Sequence, residues 1–401
     1  MTVKIEKSIA NGAVKAPPSK SIAHRALICG ALTKESTVYG ISSYSKDIDA
    51  TLSCLEKMGA SVKKGRDFIK IGGLDPFCIP ENSSVFCNES GSTLRFLIPF
   101  CMLSGNNITL SGSKRLFERP LSVYEDICAE QNIIFKKTED CVSVCGTLKN
   151  GDYFVPGNIS SQFITGLLFV LPLLPADSTL TVEGKFESAS YVDLTLDVMR
   201  DFGVIIERQN NVFYIKGGQS YSSSEYTVEG DCSNAAFLAG FNCLGGNVDV
   251  LGLRNDTLQG DRVYADMYSG LEKGIRCFDL SDCPDLAPVM FAIASYYGGA
   301  EFTGTARLKL KESDRAGVMA KELSKFGVNV NIYENSVVIG ECVLKEPNEV
   351  LYGHNDHRVV MALSLLCSVK GGVIEGAEAV NKSFPDFFEK ISLLGIKIKE
   401  I

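Results

Sequence analysis

One local pattern of apolar and polar positions recurs along the chain. An amphipathic helix ends at a glycine, a short β-branched run follows, a polar turn intervenes, and a second alternating run stops near another glycine. Residues 55–73, 198–218 and 323–340 carry it most clearly. Gly59, Gly203 and Gly327 stand where a helix takes a left-handed cap. The paired alternating runs that follow them read as hairpins, the second opening with Val204-Ile205-Ile206. Looser copies lie at 127–146 and near the C-terminus at 393–398. Roughly five or six such units are expected, and their irregular spacing excludes a solenoid, whose period is fixed. Two globular α/β domains, each built from several units, fit the pattern. The polar tract 217–225 contains few bulky residues and reads as the linker between them.

Length and composition agree with this picture. A chain of 401 residues suits two or three domains and needs no disulfide or metal staple. With 45% hydrophobic and 22% charged residues, it is neither disordered, collagen-like nor a coiled coil. Its net charge of −8 has the wrong sign for a nucleic-acid binder. Any anion site must therefore be built by local clustering of cations. The 14 cysteines are scattered through apolar segments without a C-x-x-C pair, which suits free thiols in a reducing compartment. The apolar run 163–175 is broken at Pro172 and falls short of the roughly 20 residues a membrane span needs. The first residues lack the apolar core of a signal peptide. A soluble, cytoplasmic protein with no membrane or nucleic-acid partner is expected.

Candidate chemistry gathers at helix starts. Pro17 and Pro18 end a strand, and Ser19 or Ser21 can cap the helix beyond them. Free N–H groups and the helix dipole, with Lys20, Ser21 and Arg25 beside them, make an anion cradle. A capped helix with solvated cations is the plainer alternative. The stretch Glu89-Ser90-Gly91-Ser92-Thr93-Leu94-Arg95 lets an anion approach the backbone at Gly91, but it lacks the form of a P-loop. Arg119 precedes Pro120, and Ser160-Ser161-Gln162 heads an apolar helix, where simple capping also explains the serines.

The C-terminal half is richer. Asp285 lies just before an apolar helix, in a position to act or to cap. Arg307, Lys309, Lys311 and Arg315 surround Glu312 and Asp314. Asp356-His357-Arg358 opens another helix, and Lys382 precedes the last one. Surface ion pairing is the ordinary fate of such charges. Cations at several helix starts in both halves of an acidic chain favour anionic ligands instead. His354 and His357 lie three apart, but the chain has only three histidines and no third ligand lies nearby. No metal site is expected.

Taken in order, these segments resemble the 5-enolpyruvylshikimate-3-phosphate synthase family, from Lys4 to Phe388. The likeness is carried by Pro-Ser-Lys-Ser-x-x-His-Arg at 18–25, Ser-Gly-Ser-Thr-Leu-Arg at 90–95, Arg-Pro at 119–120 and Ser-Ser-Gln at 160–162. Pro-Asp at 284–285, Lys-Glu-Ser-Asp-Arg at 311–315, Asp-His-Arg at 356–358 and Lys-Ser-Phe-Pro at 382–385 complete it. The resemblance implies the two-domain enolpyruvyl transferase fold, α/β, with three βαβαββ units per domain around a pseudo-threefold axis, an inside-out α/β barrel. It also implies a lower domain of 1–15 plus 226–401 and an upper domain of 16–225.

The implied reaction moves the enolpyruvyl group of phosphoenolpyruvate to the 5-hydroxyl of shikimate-3-phosphate, in the shikimate pathway that glyphosate targets. By position, Lys20, Gly91, Arg119, Gln162, Arg315, Arg358 and Lys382 would hold phosphoenolpyruvate. Lys20, Ser21, Arg25, Ser160, Ser161, Gln162, Ser188, Tyr191, Asp285 and Lys311 would hold shikimate-3-phosphate. Asp285, Glu312 and Lys20 would move protons. No cofactor is implied, and a monomer is expected. Glu89 stands where the family usually has Asn, Ser92 where Thr is usual, and Lys309 where Arg is common. The sister enzyme acting on UDP-N-acetylglucosamine carries a catalytic Cys in a loop that here, at 113–118, has none. A non-catalytic relative would lack a proton-transfer group, whereas Asp285, Glu312 and Lys20 are all present.

Overall fold

Gly59, Gly203 and Gly327 adopt φ of 117°, 83° and 82°, the left-handed region in which a side chain is strained. The chain can therefore reverse after each helix and enter a hairpin. The computed structural model, which describes residues 1–42 and 44–401, places hairpins after all three. They pair Ser61–Lys64 with Phe68–Gly72, Glu207–Gln209 with Val212–Ile215, and Val330–Ile332 with Ser336–Ile339. The second hairpin begins later than its apolar run suggests. At Ile205 the side chain of Gln219 takes both backbone groups, accepting from the N–H at 2.9 Å and donating to the carbonyl at 3.1 Å. No strand partner is left for it.

Among the described residues there are five four-stranded sheets and one two-stranded sheet. The four-stranded sheets share one pattern of strand directions, and that of residues 152–215 illustrates it. Asp152–Pro156 runs parallel to Ser178–Glu183, which is antiparallel to Val212–Ile215, the inner strand of a hairpin. Parallel neighbours need a crossover helix, here Ser161–Val170. The two-stranded sheet pairs Asn11–Lys15 in parallel with Asn247–Leu251.

The chain divides into two compact units, Met1–Pro17 with Gly230–Ile401 and Pro18–Glu229. These limits differ from the expected breaks at 15/16 and 225/226. Ala16 still bonds Leu251 in the first unit, while Glu225–Thr227 adds a parallel strand to Ser36–Tyr39 in the second. The polar tract 217–225 is not a linker. Tyr221 is only 7% exposed and donates its hydroxyl to the Phe169 carbonyl at 2.9 Å. The Ser224 N–H is held by Ser36 Oγ at 3.0 Å.

Helices Gly91–Cys101 and Ser161–Val170 in one unit, and Ala287–Tyr296 and His357–Lys370 in the other, are buried along almost their whole length. Helices apolar on every side belong inside a core, so their N-termini bring polar residues to defined places. No helix is long and apolar enough to cross a membrane among the described residues. All 14 cysteines are free thiols.

The C-terminal repeat supplies only one strand, Ile398–Glu400, after its helix. Its neighbour is the N-terminal strand Thr2–Ile5, which lies antiparallel between it and Gly372–Glu375. Ile5 is fully buried there, whereas Ile332 on an edge strand is 47% exposed. Ile5→Ala should cost about 2–5 kcal/mol and Ile332→Ala under about 1 kcal/mol. Chemical denaturation of the two variants side by side checks this, and equal midpoints would remove the N-terminal strand from the core.

Candidate active site

In unit Pro18–Glu229 the first basic cluster is fixed by neighbours distant in sequence. Ser19, rather than Ser21, caps helix Lys20–Ala31, its hydroxyl accepting from Ile22 N. The Lys20 ammonium meets Asp47 Oδ2 at 2.9 Å. Arg25 is buried and donates to Thr195 Oγ1 at 2.8 Å, to the Ser21 carbonyl at 2.6 Å and to the Tyr191 carbonyl at 2.8 Å. Burial pulls it down to about 10, so it remains a cation at neutral pH. Arg25 thus ties Ser21 to the segment that carries Ser188 and Tyr191. Ser188 takes φ of 57° immediately before helix Ala189–Asp201. Thr195 on that helix bonds Thr165 at 2.9 Å, which joins it to the helix headed by Ser160 and Ser161.

A second group forms around Gly91, where Ser90 caps helix Gly91–Cys101. A Cβ on Gly91 would strike the Arg119 guanidinium, so the absent side chain is what lets that cation lie against the helix start. Gln162 joins the group through its amide, donating to Ser92 Oγ at 3.0 Å and accepting from Arg95 Nη1 at 2.7 Å. Arg95 also donates to the Pro120 carbonyl at 3.0 Å, next to Arg119. The motif reading gave neither Arg95 nor Asp47 a role. A signal was present: an arginine one turn into an apolar helix must find a partner inside the protein.

In unit Met1–Pro17 with Gly230–Ile401, cations and carboxylates interlock. Asp285 does not cap its helix. Its carboxylate accepts from Arg315 Nη1 at 2.8 Å and Arg358 Nη2 at 2.9 Å, with Lys311 Nζ at 3.2 Å. Arg315 gives its remaining donors to Glu312 Oε2 at 2.7 Å and Asp356 Oδ2 at 2.9 Å. Asp356 caps helix His357–Lys370 and also accepts from Ser313. Lys382 reaches the Asn355 carbonyl beside it. The site residues expected in this unit therefore converge, and Asp356 is the addition that holds them.

These environments set the charges. Burial alone would raise Asp285, but Arg358, then Lys311 and Arg315, outweigh it and hold the carboxyl well below the usual range. Asp356 is also lowered, burial being outweighed by Arg315. Asp261 goes the other way: burial, then the Asp285 charge, pushes it up to about 6, although Ser233 donates to it. As for the histidines, His354 Nε2 pairs with Glu322 Oε1 at 2.7 Å, and His357 is buried at the helix start. No group of three or more His, Cys, Asp or Glu among the described residues could hold a metal.

Comparison with known proteins shows the family. The model of the family described as EPSP synthase (3-phosphoshikimate 1-carboxyvinyltransferase) matches residues 5–391. The chain belongs to that family. Its sequence is 41% identical to the 3-phosphoshikimate 1-carboxyvinyltransferase of Clostridium kluyveri, over 99% of this chain and 98% of that protein. The protein of the same name from Clostridioides difficile is 37% identical, over 100% of this chain and 98% of its own. A solved EPSP synthase from Acinetobacter baumannii superposes with a TM-score of 0.80 over all of both chains, at 21% identity. The enolpyruvyl transferase NikO from Streptomyces tendae gives 0.74 at 14% identity, over 99% and 98% of the two chains. At such identities the likeness speaks for the fold, the two-domain α/β enolpyruvyl transferase fold.

In this chain the raised Asp261 makes a stability prediction. An unfolded aspartate titrates near 3.9, so between about pH 4 and 6 the folded state holds a proton that the unfolded state has lost. Stability from this group is present below about 4 and lost as pH rises through about 6. Asp261→Asn should therefore gain on the order of 2 kcal/mol relative to wild type between pH 4.5 and 7. Thermal midpoints at both pH values test this. A variant that tracks wild type at both would show that Asp261 is ionised throughout.

Proposed function

We propose how these residues divide the reaction of the family, transfer of the enolpyruvyl group of phosphoenolpyruvate to the 5-hydroxyl of shikimate-3-phosphate with release of phosphate. Lys20, Arg119, Gln162, Arg315, Arg358 and Lys382 hold phosphoenolpyruvate, with Gly91 allowing close approach. Ser21, Arg25, Ser160, Ser161, Ser188, Tyr191 and Lys311 hold shikimate-3-phosphate, assisted by Lys20, Gln162 and Asp285. Both substrates are anions, and charge-assisted bonds to guanidinium and ammonium groups suit them.

The observation that carries this reading is the crowding of Lys311, Arg315 and Arg358 on the Asp285 carboxylate. While all of them face Asp285, it is a poor base. A substrate phosphate or carboxylate that draws Arg358 and Lys311 to itself removes their field, and the basicity of Asp285 rises. It can then take the proton of the attacking hydroxyl as C2 of phosphoenolpyruvate becomes electrophilic. Glu312 and Lys20 serve the proton transfers at C3 and at the leaving phosphate. The tetrahedral intermediate then expels phosphate, with the surrounding cations stabilising the charge that develops. The free thiols suit the reducing cytoplasm. Both sets of residues come from one chain, which suits a monomer working on two small molecules.

Asp285→Asn keeps the shape of the side chain and removes the base. It should lower kcat by at least about 100-fold, the scale of a lost general base. Shikimate-3-phosphate should still bind, because the contacts at Arg25, Ser160 and Ser161 are untouched. Phosphate release from phosphoenolpyruvate, followed with and without shikimate-3-phosphate, measures the first point, and calorimetry the second. Near-normal turnover in a variant that melts earlier would reduce Asp285 to a counter-ion for Arg315 and Arg358.

A further inference from the structure

Beneath the helix starts of unit Pro18–Glu229 runs a chain of side chains, His24, Thr51, Thr93 and Ser90, each fully shielded from solvent. His24 Nδ1 lies 2.8 Å from Thr51 Oγ1, Thr51 Oγ1 lies 2.6 Å from Thr93 Oγ1, and Thr93 Oγ1 donates to Ser90 Oγ at 2.7 Å. Ser90 Oγ also accepts from Thr93 N at 3.2 Å, as the helix cap.

The protons in this chain have one consistent direction. Thr93 spends its hydroxyl proton on Ser90, so it can only accept from Thr51. Thr51 has then spent its own proton and can only accept from His24. The ring must therefore carry its hydrogen on Nδ1 and leave Nε2 bare, and among the described residues Nε2 has no hydrogen-bond partner. Burial, then the charges of Lys20 and Arg25, hold the imidazole well below its usual range and so neutral. Phe96 closes the site edge-on to the ring, with centroids 6.4 Å apart.

The chain also lies under a pair already assigned. His24 follows Lys20 by one helical turn, and Thr51 follows Asp47 by one turn, so the His24–Thr51 bond is a second rung beneath the Lys20–Asp47 pair. Thr93 and Ser90 extend that rung to the start of helix Gly91–Cys101. We propose that His24, Thr51, Thr93 and Ser90 form a one-way hydrogen-bond relay that fixes the Gly91 turn against the Lys20 helix, making them positioning residues for phosphoenolpyruvate. The proposal rests on the reading of Gly91 and Lys20 as contacts of that substrate. Its energetic basis is that hydroxyl and imidazole groups buried together keep one arrangement only while every bond is made.

The decisive variant is Thr51→Val, which keeps the volume and breaks the middle of the relay. The KM for phosphoenolpyruvate should rise at least tenfold, the KM for shikimate-3-phosphate should stay within twofold, and Thr51→Ser should restore the first. Thr93→Val gives the same split if Thr51→Val folds poorly. Nitrogen NMR of the wild-type enzyme reads the relay directly: His24 should be the neutral Nδ1–H form, unchanged from pH 5 to 9. A Thr51→Val enzyme with an unchanged phosphoenolpyruvate KM overturns the proposal, as does a His24 that titrates or carries its proton on Nε2. Gly91→Ala separates this from the underlying reading. If it leaves the phosphoenolpyruvate KM unchanged, the assignment of Gly91 is wrong; if it raises the KM while Thr51→Val does not, only the relay fails.

Discussion

Arg315 is 1% exposed and is the first residue of helix Arg315–Ser324, where the helix dipole already presents its positive end. A guanidinium in that place has no water to fall back on. Its charge is met by Asp285, Glu312 and Asp356, brought from separate segments. Those bonds hold the short turn Pro284–Leu286, the segment before Arg315 and the cap of helix His357–Lys370 in one arrangement. Removing any carboxylate would leave a buried cation short of its counter-charge, which ordinarily costs several kcal/mol. The same constraint explains why Asp285 and Asp261, two carboxylates of one neighbourhood, diverge. Arg358, Lys311 and Arg315 hold Asp285 charged, while burial and the charge of Asp285 push Asp261 the other way.

Much of the fold was legible because its repeat depends on local chemistry. Glycine at a helix end and β-branched alternation beyond it act within a few residues, so helix and hairpin could be read at 55–73 and 323–340. Long-range pairing left less trace. Nothing near residues 398–400 says that their neighbour is Thr2–Ile5. The tract 217–225 misled because Ser and Gln imply exposure, while the buried Tyr221 hydroxyl and the bonds of Gln219 and Ser224 anchor it. At 204–206 the apolar run was real, but a glutamine side chain took the backbone groups that a strand would use.

The site divides in the same way. Residues in short motifs at helix starts, such as Lys20, Gly91, Gln162 and Arg358, could be named from their order. Residues that act through remote contacts could not. Arg95 reaches Gln162, 67 positions away, and Asp47 meets Lys20 across 27. Asp285 looked equally able to cap a helix or to act, because the sequence shows its place before an apolar run and hides the arginines that face it. The relay of His24, Thr51 and Thr93 was the least visible of all. Threonines inside helices look like ordinary packing until their hydroxyls are seen to meet.

The place of the N-terminal strand bears on how the molecule is made. Pro18–Glu229 is one uninterrupted stretch, so its three sheets are complete once that stretch leaves the ribosome. Thr2–Ile5 emerges earlier, yet both its neighbours lie in the last stretch of the chain, at Gly372–Glu375 and Ile398–Glu400. At about 5–20 residues per second, the nascent strand waits tens of seconds with both edges unpaired. Thr2, Lys4, Glu6 and Lys7 alternate with or flank its apolar residues, and charges on an unpaired strand discourage other chains from adding to it. A strand made hundreds of residues before its partners is thus among the last to find its place.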